Sequence, residues 1–228
     1  MSARAWATKL LVVTEQWRPY NYTNEQGEIV GRATKKIKQV LEQAGIDYEI
    51  KMYPWVRAMK VAQSRPNTMI YSIYRNPERE ALFEWACPLI RPVGVYFFKL
   101  EERDDIAINT IEDAKRYVTA VVKGDSYYEH FTANGLQPGV HLDVSAQPAQ
   151  FAKLLVAKRI DLLAGTEYTM SETMKASGFD YDMVTPIYEI KKITQQRACA
   201  AFNLNSNPSM INRFRRALAE HNKKFVGP

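Results

Sequence analysis

Asn67–Pro88 reads NTMIYSIYRNPEREALFEWACP, and the fold is decided by how this stretch is read. Thr68 to Tyr74 alternates apolar and β-prone side chains, which predicts a strand. That strand runs straight into Arg75, Asn76, Pro77, Glu78 and Arg79, and apolar residues resume with Phe83, Trp85 and Pro88. Arg75 and Arg79, just past an apolar strand, can together hold a carboxylate in a bidentate, charge-assisted fork. The same residues also read as a solvated turn in which Glu78 and Glu80 pair with the arginines at the surface. Pattern alone leaves both readings open.

Working outward, strand and helix alternate. Toward the N-terminus, Ala7 to Val13 begins the first strand, which ends at Glu15, Gln16, Trp17, Arg18, Pro19 and Tyr20. Aromatics around a proline, just beyond a strand end, are placed to line a cleft or to pack a loop. Arg32 to Ala44 carries Ala33, Ile37, Val40, Leu41 and Ala44 on one face and stops at Gly45, the pattern of an amphipathic helix. Ile46 to Met52 is a second strand, and Pro54 opens a helix running to Ser64 with Trp55 at its mouth.

Toward the C-terminus, strands are expected at Val95–Lys99, Tyr117–Lys123 and Arg159–Ala164, with extended chain at 183–190 and 197–203. Tyr117–Lys123 ends at Gly124, Asp125 and Ser126 before a helix from Tyr127, a junction that binds anions or merely caps the helix. The strand through Ala164 ends at Gly165, Thr166 and Glu167, also before a helix. Glu167 there can meet an ammonium group or simply favour the helix dipole. Pro208 to Lys223 closes the chain as a helix with Met210, Ile211, Phe214 and Leu218 inward. Such alternation indicates open α/β sheets with ligands at the carboxyl ends of strands, where Trp17, Trp55, Arg75, Arg79, Ser126, Thr166 and Glu167 all fall.

A chain of 228 residues, 46% hydrophobic and 25% charged, is long enough for one domain or two lobes. Its net charge of +6 comes from basic residues scattered along the sequence with no basic run interleaved with aromatics, so no nucleic-acid partner is expected. No apolar stretch reaches the roughly 18 residues of a membrane span. The start, MSARAWATKLLVV, is not an intact signal peptide. The chain is therefore either cytoplasmic or a protein whose signal peptide has been removed. Cys87 and Cys199 are far apart in sequence and in no metal-spacing motif, so two free buried thiols are expected. The three histidines are equally scattered; neither a metal site nor a cofactor is expected.

The order of these features resembles the family 3 extracellular solute-binding proteins, the polar amino-acid-binding components of ABC importers, over Lys9 to Phe225. The resemblance rests on Trp17–Arg18–Pro19–Tyr20 after strand one, on Gly27 and Gly31, and on Trp55 as a second cleft aromatic. It rests further on Arg79 with Trp85 to Pro88 behind it, and on Gly124–Asp125–Ser126. It implies a type II periplasmic-binding-protein fold of two α/β lobes, with residues 1–95 and 197–228 in lobe one and 96–196 in lobe two. Two hinge strands would lie near Val95–Lys99 and Arg197–Asn203, and the ligand would sit between the lobes.

The resemblance also implies a monomeric, periplasmic protein that binds a small carboxylate-bearing solute and serves an ABC permease. Its ligand residues would be Trp17, Tyr20, Trp55, Arg75, Arg79, Ser126, Thr166 and Glu167. There are departures. Arg75 is an added arginine, and the acidic residue usual after the second glycine is replaced by Arg32 and Ala33. The aspartate that grips an α-ammonium aligns with Thr166, so either the adjacent Glu167 takes that role or the ligand is not an ordinary α-amino acid. Two other readings use the same fold: a ligand-sensing domain of a receptor, and a dehydratase-like enzyme with Glu167 as general acid.

Overall fold

A computed structural model describes residues 9–145 and 147–224. Ala7 and Thr8, expected in the first strand, and Phe225 lie outside the described residues. The chain forms two compact units, one from residues up to Arg91 together with those from Arg197 onward, the other from Pro92–Gln196.

The first unit opens with β1 (Leu10–Thr14), buried at every position, followed by a short hairpin of β2 (Tyr22–Thr23) and β3 (Ile29–Val30). Next come α1 (Arg32–Gln43), β4 (Tyr48–Met52), α2 (Trp55–Ser64), β5 (Thr68–Arg75) and β6 (Phe83–Ile90). The second unit contains β7 (Tyr96–Leu100), β8 (Thr119–Val122), α3 (Ser126–Ala133) and β9 (Leu142–Ser145). It continues with α4 (Phe151–Val156), β10 (Leu162–Gly165), α5 (Glu167–Ala176), β11 (Val184–Glu189) and α6 (Lys191–Thr194). The chain then returns to the first unit for β12 (Arg197–Asn203) and α7 (Pro208–Lys224).

Each unit holds a five-stranded mixed sheet, ordered β4-β1-β5-β12-β6 in the first and β11-β7-β10-β8-β9 in the second. In the first, β1 runs parallel to both β4 and β5, so the strand order reverses beside β1, the place where open α/β sheets leave a crevice. In the second, β8 is parallel to β9 and β10, while β7 is antiparallel to β10 and β11. α1 and α7 cover one face of the first sheet with Ile37, Val40, Leu41, Ile211, Phe214 and Leu218, sharing a core with Leu10, Val12, Tyr71 and Phe202. The second core gathers Val95, Phe97, Val121, Phe131, Leu142 and Leu162.

Two expectations are corrected here, the boundary between the units and the state of the cysteines. The strands expected near Val95–Lys99 and Arg197–Asn203 are present as β7 and β12. β7 is hydrogen-bonded between β10 and β11, and β12 lies between β5 and β6, so each is an interior strand of its own sheet. Residues 92–95 belong with the second unit, because Val95 is fully buried in the second core. The cysteines are not free thiols: Cys87 and Cys199 form a disulfide with their Cα atoms 4.7 Å apart. The reason is topological. The chain leaves the first sheet after β6 and re-enters it as β12, which pairs directly with β6, so 112 residues of separation in sequence become adjacency in the sheet.

β12 also carries a register irregularity at Cys199–Ala200 against β5, where Ser72 takes a left-handed conformation with φ 61°. A non-glycine residue in that region marks a strained bulge that redirects its strand. The Ser72 hydroxyl is buried and has no hydrogen-bond partner among the described residues. One residue earlier, the Tyr71 hydroxyl lies 2.7 Å from the Thr34 hydroxyl, tying β5 to α1.

Burial pushes the Tyr71 phenol up to about 12, against a smaller opposite pull from its hydrogen bonds with Thr34 and Thr14. The folded pKa therefore lies above the unfolded value of about 10. As pH rises through about 10 the unfolded chain loses a proton that the folded chain keeps, so this part of the stability fades between about pH 10 and pH 12. Tyr71→Phe should flatten that alkaline decline by about 2 kcal/mol, read from urea denaturation at about pH 9 and pH 11.5. An unchanged slope would refute the burial argument. Reducing the disulfide, or replacing both cysteines by alanine, should lower stability by about 2–4 kcal/mol, since it frees a long loop in the unfolded chain.

Candidate functional site

In the first unit, the carboxyl ends of β1, β4 and β5 bring together most of the residues singled out in the sequence. The chain after β1 turns tightly: the Trp17 carbonyl accepts from the Tyr20 and Asn21 N–H groups at 2.8 and 3.0 Å. The Pro19 and Tyr20 carbonyls then accept from Arg32 and Ala33 N–H at 3.1 and 2.9 Å, satisfying donors that the start of α1 would otherwise leave open. Gly31 permits this approach; a Cβ there would overlap the Tyr20 carbonyl, and its φ of 118° disfavours any other residue. The aromatic turn is thus fixed to the helix behind it.

Trp17 packs against Tyr20 with ring centroids 4.7 Å apart and against Tyr74 at 5.7 Å. Tyr20 belongs to the core, whereas Trp17 is half-buried at its edge. The Tyr74 carbonyl accepts from Arg79 Nη1 at 3.5 Å, and the Arg79 guanidinium lies 4.9 Å from the centre of the Trp55 ring. Tyr20, Trp17, Tyr74, Arg79 and Trp55 therefore form one continuous line of contacts. Arg79 is only 2% exposed and Trp55 only 5%. A guanidinium over an indole face gains cation–π attraction that grows as water is excluded.

The two arginines have opposite fates. Arg75, the last residue of β5, is exposed and grips Glu80, with Nε 2.7 Å from Glu80 Oε2. Hydrogen bonding to that carboxylate, set against a smaller desolvation effect, holds the Arg75 pKa above its ordinary value. This is the surface pairing that the solvated-turn reading anticipated for Glu80. Arg79 is turned inward instead, because the Asn76 side-chain oxygen accepts its N–H at 3.0 Å and the Asn76 carbonyl accepts the same N–H at 3.2 Å. Asn76 is itself buried. Tyr74, Asn76 and the bulge at Ser72 were not singled out as site residues. The signal for Asn76 was present, since asparagine before Pro77 commonly closes a turn on a following backbone N–H.

In the second unit, Asp125 is the residue that caps α3, its carboxylate accepting from Tyr128 N–H at 2.7 Å. The helix consequently starts at Ser126, one residue before the expected Tyr127, and Ser126 is buried in its first turn. Thr166 is buried and caps α5: its hydroxyl accepts from Thr169 N–H at 3.0 Å, while Thr166 N–H donates to Thr169 Oγ1 at 2.9 Å. Glu167 is exposed in the first turn of α5, near enough to Tyr181 to add to the burial that raises that phenol's pKa. Ser126, Thr166 and Glu167 all sit at carboxyl ends of the parallel strands β8 and β10. Among the described residues, no group of three or more histidine, cysteine or acidic side chains is placed to hold a metal ion, and no helix is long and apolar enough to cross a membrane.

Chemically, the first-unit end offers a desolvated, forked cation walled by aromatic rings, suited to a carboxylate attached to an apolar or π-bearing body.

Comparison with known proteins agrees on the fold. A histidine kinase sensor domain similar to periplasmic binding proteins superposes with a TM-score of 0.81 at 17% identity, covering 95% of this chain and 91% of that one. An ancestral arginine-binding protein bound to arginine gives 0.80 at 19%, covering 96% and 98%. The arginine-, lysine-, histidine-binding protein ArtJ from Geobacillus stearothermophilus gives 0.80 at 18%, covering 95% and 90%. None of the curated proteins matches the sequence. The profile of the bacterial extracellular solute-binding proteins, family 3, matches residues 10–169, most of the chain, and the chain belongs to that family.

Proposed function

We propose that this protein binds a small, carboxylate-bearing, amino-acid-like solute without transforming it, outside the cytoplasm, and delivers it to an ABC-type permease. The observation that carries this reading is the buried Arg79 guanidinium over Trp55 at the carboxyl end of β5. Arg79 takes the ligand carboxylate, and Trp17, Tyr20 and Trp55 pack on the rest of the ligand. Arg75 assists at most through the field of its ion pair with Glu80. Ser126 and Thr166 are proposed as further ligand contacts, and Glu167 as the partner of a ligand ammonium group.

Family membership supports solute binding, and the arginine-bound and arginine-, lysine-, histidine-binding relatives support an amino acid as the solute class. The Cys87–Cys199 disulfide supports an oxidising compartment such as a periplasm. A second reading, a ligand-sensing domain, is favoured by one observation, the likeness to a histidine kinase sensor domain. Solute uptake by membrane vesicles carrying a candidate ABC-type permease separates the two: dependence on added protein supports transport, and its absence supports sensing.

A thermal-shift screen against amino acids and small carboxylates should identify a single ligand class, with about 2.7 kcal/mol of stabilisation at about 100 times Kd. Arg79→Ala should weaken that ligand by about 2–5 kcal/mol, and Arg79→Lys, which keeps the charge but not the fork, should also weaken it. Arg75→Ala should shift affinity less than about threefold, as expected for an exposed ion pair. Loss of binding in Arg75→Ala with parental binding in Arg79→Lys would reverse the assignment. Glu167→Gln should weaken amino acids and spare the corresponding amine-free acids. Turnover of any bound acid that Glu167→Gln abolishes would establish the enzymatic reading instead.

A further inference from the structure

The charge of the chain is divided between its units. The first carries 20 Lys and Arg against 10 Asp and Glu, a net of +10, and the second carries 11 against 15, a net of −4. Nine of the twenty basic residues of the first unit lie on α1 and α7, two helices that together carry only two Glu. Both helices pack into the same core against the sheet. Arg213, early in α7, donates to the Ala44 and Gly45 carbonyls past the end of α1 at 3.2 and 3.0 Å, and Gln43 donates to Glu220 at 2.6 Å. Lys36 donates to the Leu89 carbonyl at 2.7 Å and Asn222 to the Pro88 carbonyl at 3.0 Å, tying both helices to the end of β6.

The cations crowd one another. Burial and then repulsion from Arg91 depress the Lys36 pKa, and burial and then repulsion from Lys36 and Lys224 depress that of His221. Arg215 is held 2.8 Å from Glu84. Among the described residues, every exposed large hydrophobic side chain lies off these two helices. The face therefore lacks the apolar anchors that centre most protein–protein interfaces, and it has nothing to insert into a bilayer core. A broad cationic face without anchors suits a broad polyanionic surface, where many weak attractions add.

We propose that the α1–α7 face docks reversibly on the anionic phospholipid headgroups of a bilayer. This surface is independent of the ligand residues, and the proposal stands whether or not the solute-binding reading does. The test is co-sedimentation of the full chain with vesicles of phosphatidylcholine containing about one third phosphatidylglycerol, at about 20 mM and about 500 mM NaCl. Binding is expected at low salt, and should fall at least about tenfold at high salt or on pure phosphatidylcholine. The triple variant Lys35→Glu, Arg216→Glu, Lys223→Glu should lose at least about tenfold in partitioning.

The triple variant Lys153→Glu, Lys175→Glu, Lys192→Glu, on the second unit, changes net charge equally and should stay within about threefold of the parent. Circular dichroism confirms that each variant is folded before it is scored. No sedimentation at low salt overturns the proposal, as do equal losses in the two triple variants, which would make net charge the cause. Tighter binding to a short DNA duplex than to the vesicles at equal salt also overturns it, in favour of a nucleic-acid surface.

Discussion

A guanidinium taken almost wholly out of water is the constraint on which the first unit depends. Removing a charge from water costs several kcal/mol even after the surroundings relax, so the polypeptide around it must be held in place by many independent contacts. Those contacts are local and specific. Asn76 turns the chain inward after β5, the bulge at Ser72 bends the strand that delivers Tyr74, and Trp55 is presented by the first turn of α2. Each comes from a separate connection between strand and helix. The site is assembled by the sheet order rather than by any single motif.

The same sheet order explains the disulfide and the two crossings between units. β12 is threaded between β5 and β6 after a long excursion, so the last strand to arrive is an interior one. Interior strands that arrive late lean on long-range contacts whose closure entropy is high. The Cys87–Cys199 bond ties this strand to its neighbour close to the points where the chain leaves and re-enters the sheet. An unfolded chain cross-linked there has far fewer conformations to lose, which favours the fold most where its topology is most demanding.

Periodicity made the helices and most strands legible: α1, α2 and α7 declared themselves by apolar residues at helical spacing, and β1 and β5 by runs of β-prone residues. What sequence could not carry was adjacency. Nothing local to Cys87 or Cys199 says that a strand from the far end of the chain will lie beside β6. Spacing that ignores topology therefore gave free thiols. The arginines illustrate the same limit at close range. Arg75 and Arg79 are alike as residue types, and only the turn built by Asn76 sends one to Glu80 at the surface and the other beneath Trp55. Likewise α1 and α7 lie far apart in the sequence and share one core, so their nine cations belong to one part of the first unit. Thr166 was placed correctly at a strand end, yet its hydroxyl is engaged by the start of α5, a role that the Thr-x-x-Thr spacing could have revealed as a capping pair.

Identities of 17–19% with relatives of known ligand carry the fold and leave the chemistry to the residues themselves. Here the residues argue for a preorganised cation. In the proposed function, most of the desolvation of Arg79 is met when the protein folds rather than when the ligand arrives, and the aromatic walls are already packed against one another. A carboxylate approaching such a group gives up its own hydration but does not have to strip the arginine or order the rings. That shifts cost from binding to stability. The residue proposed to hold the ligand is accordingly among the largest fully buried side chains of the protein.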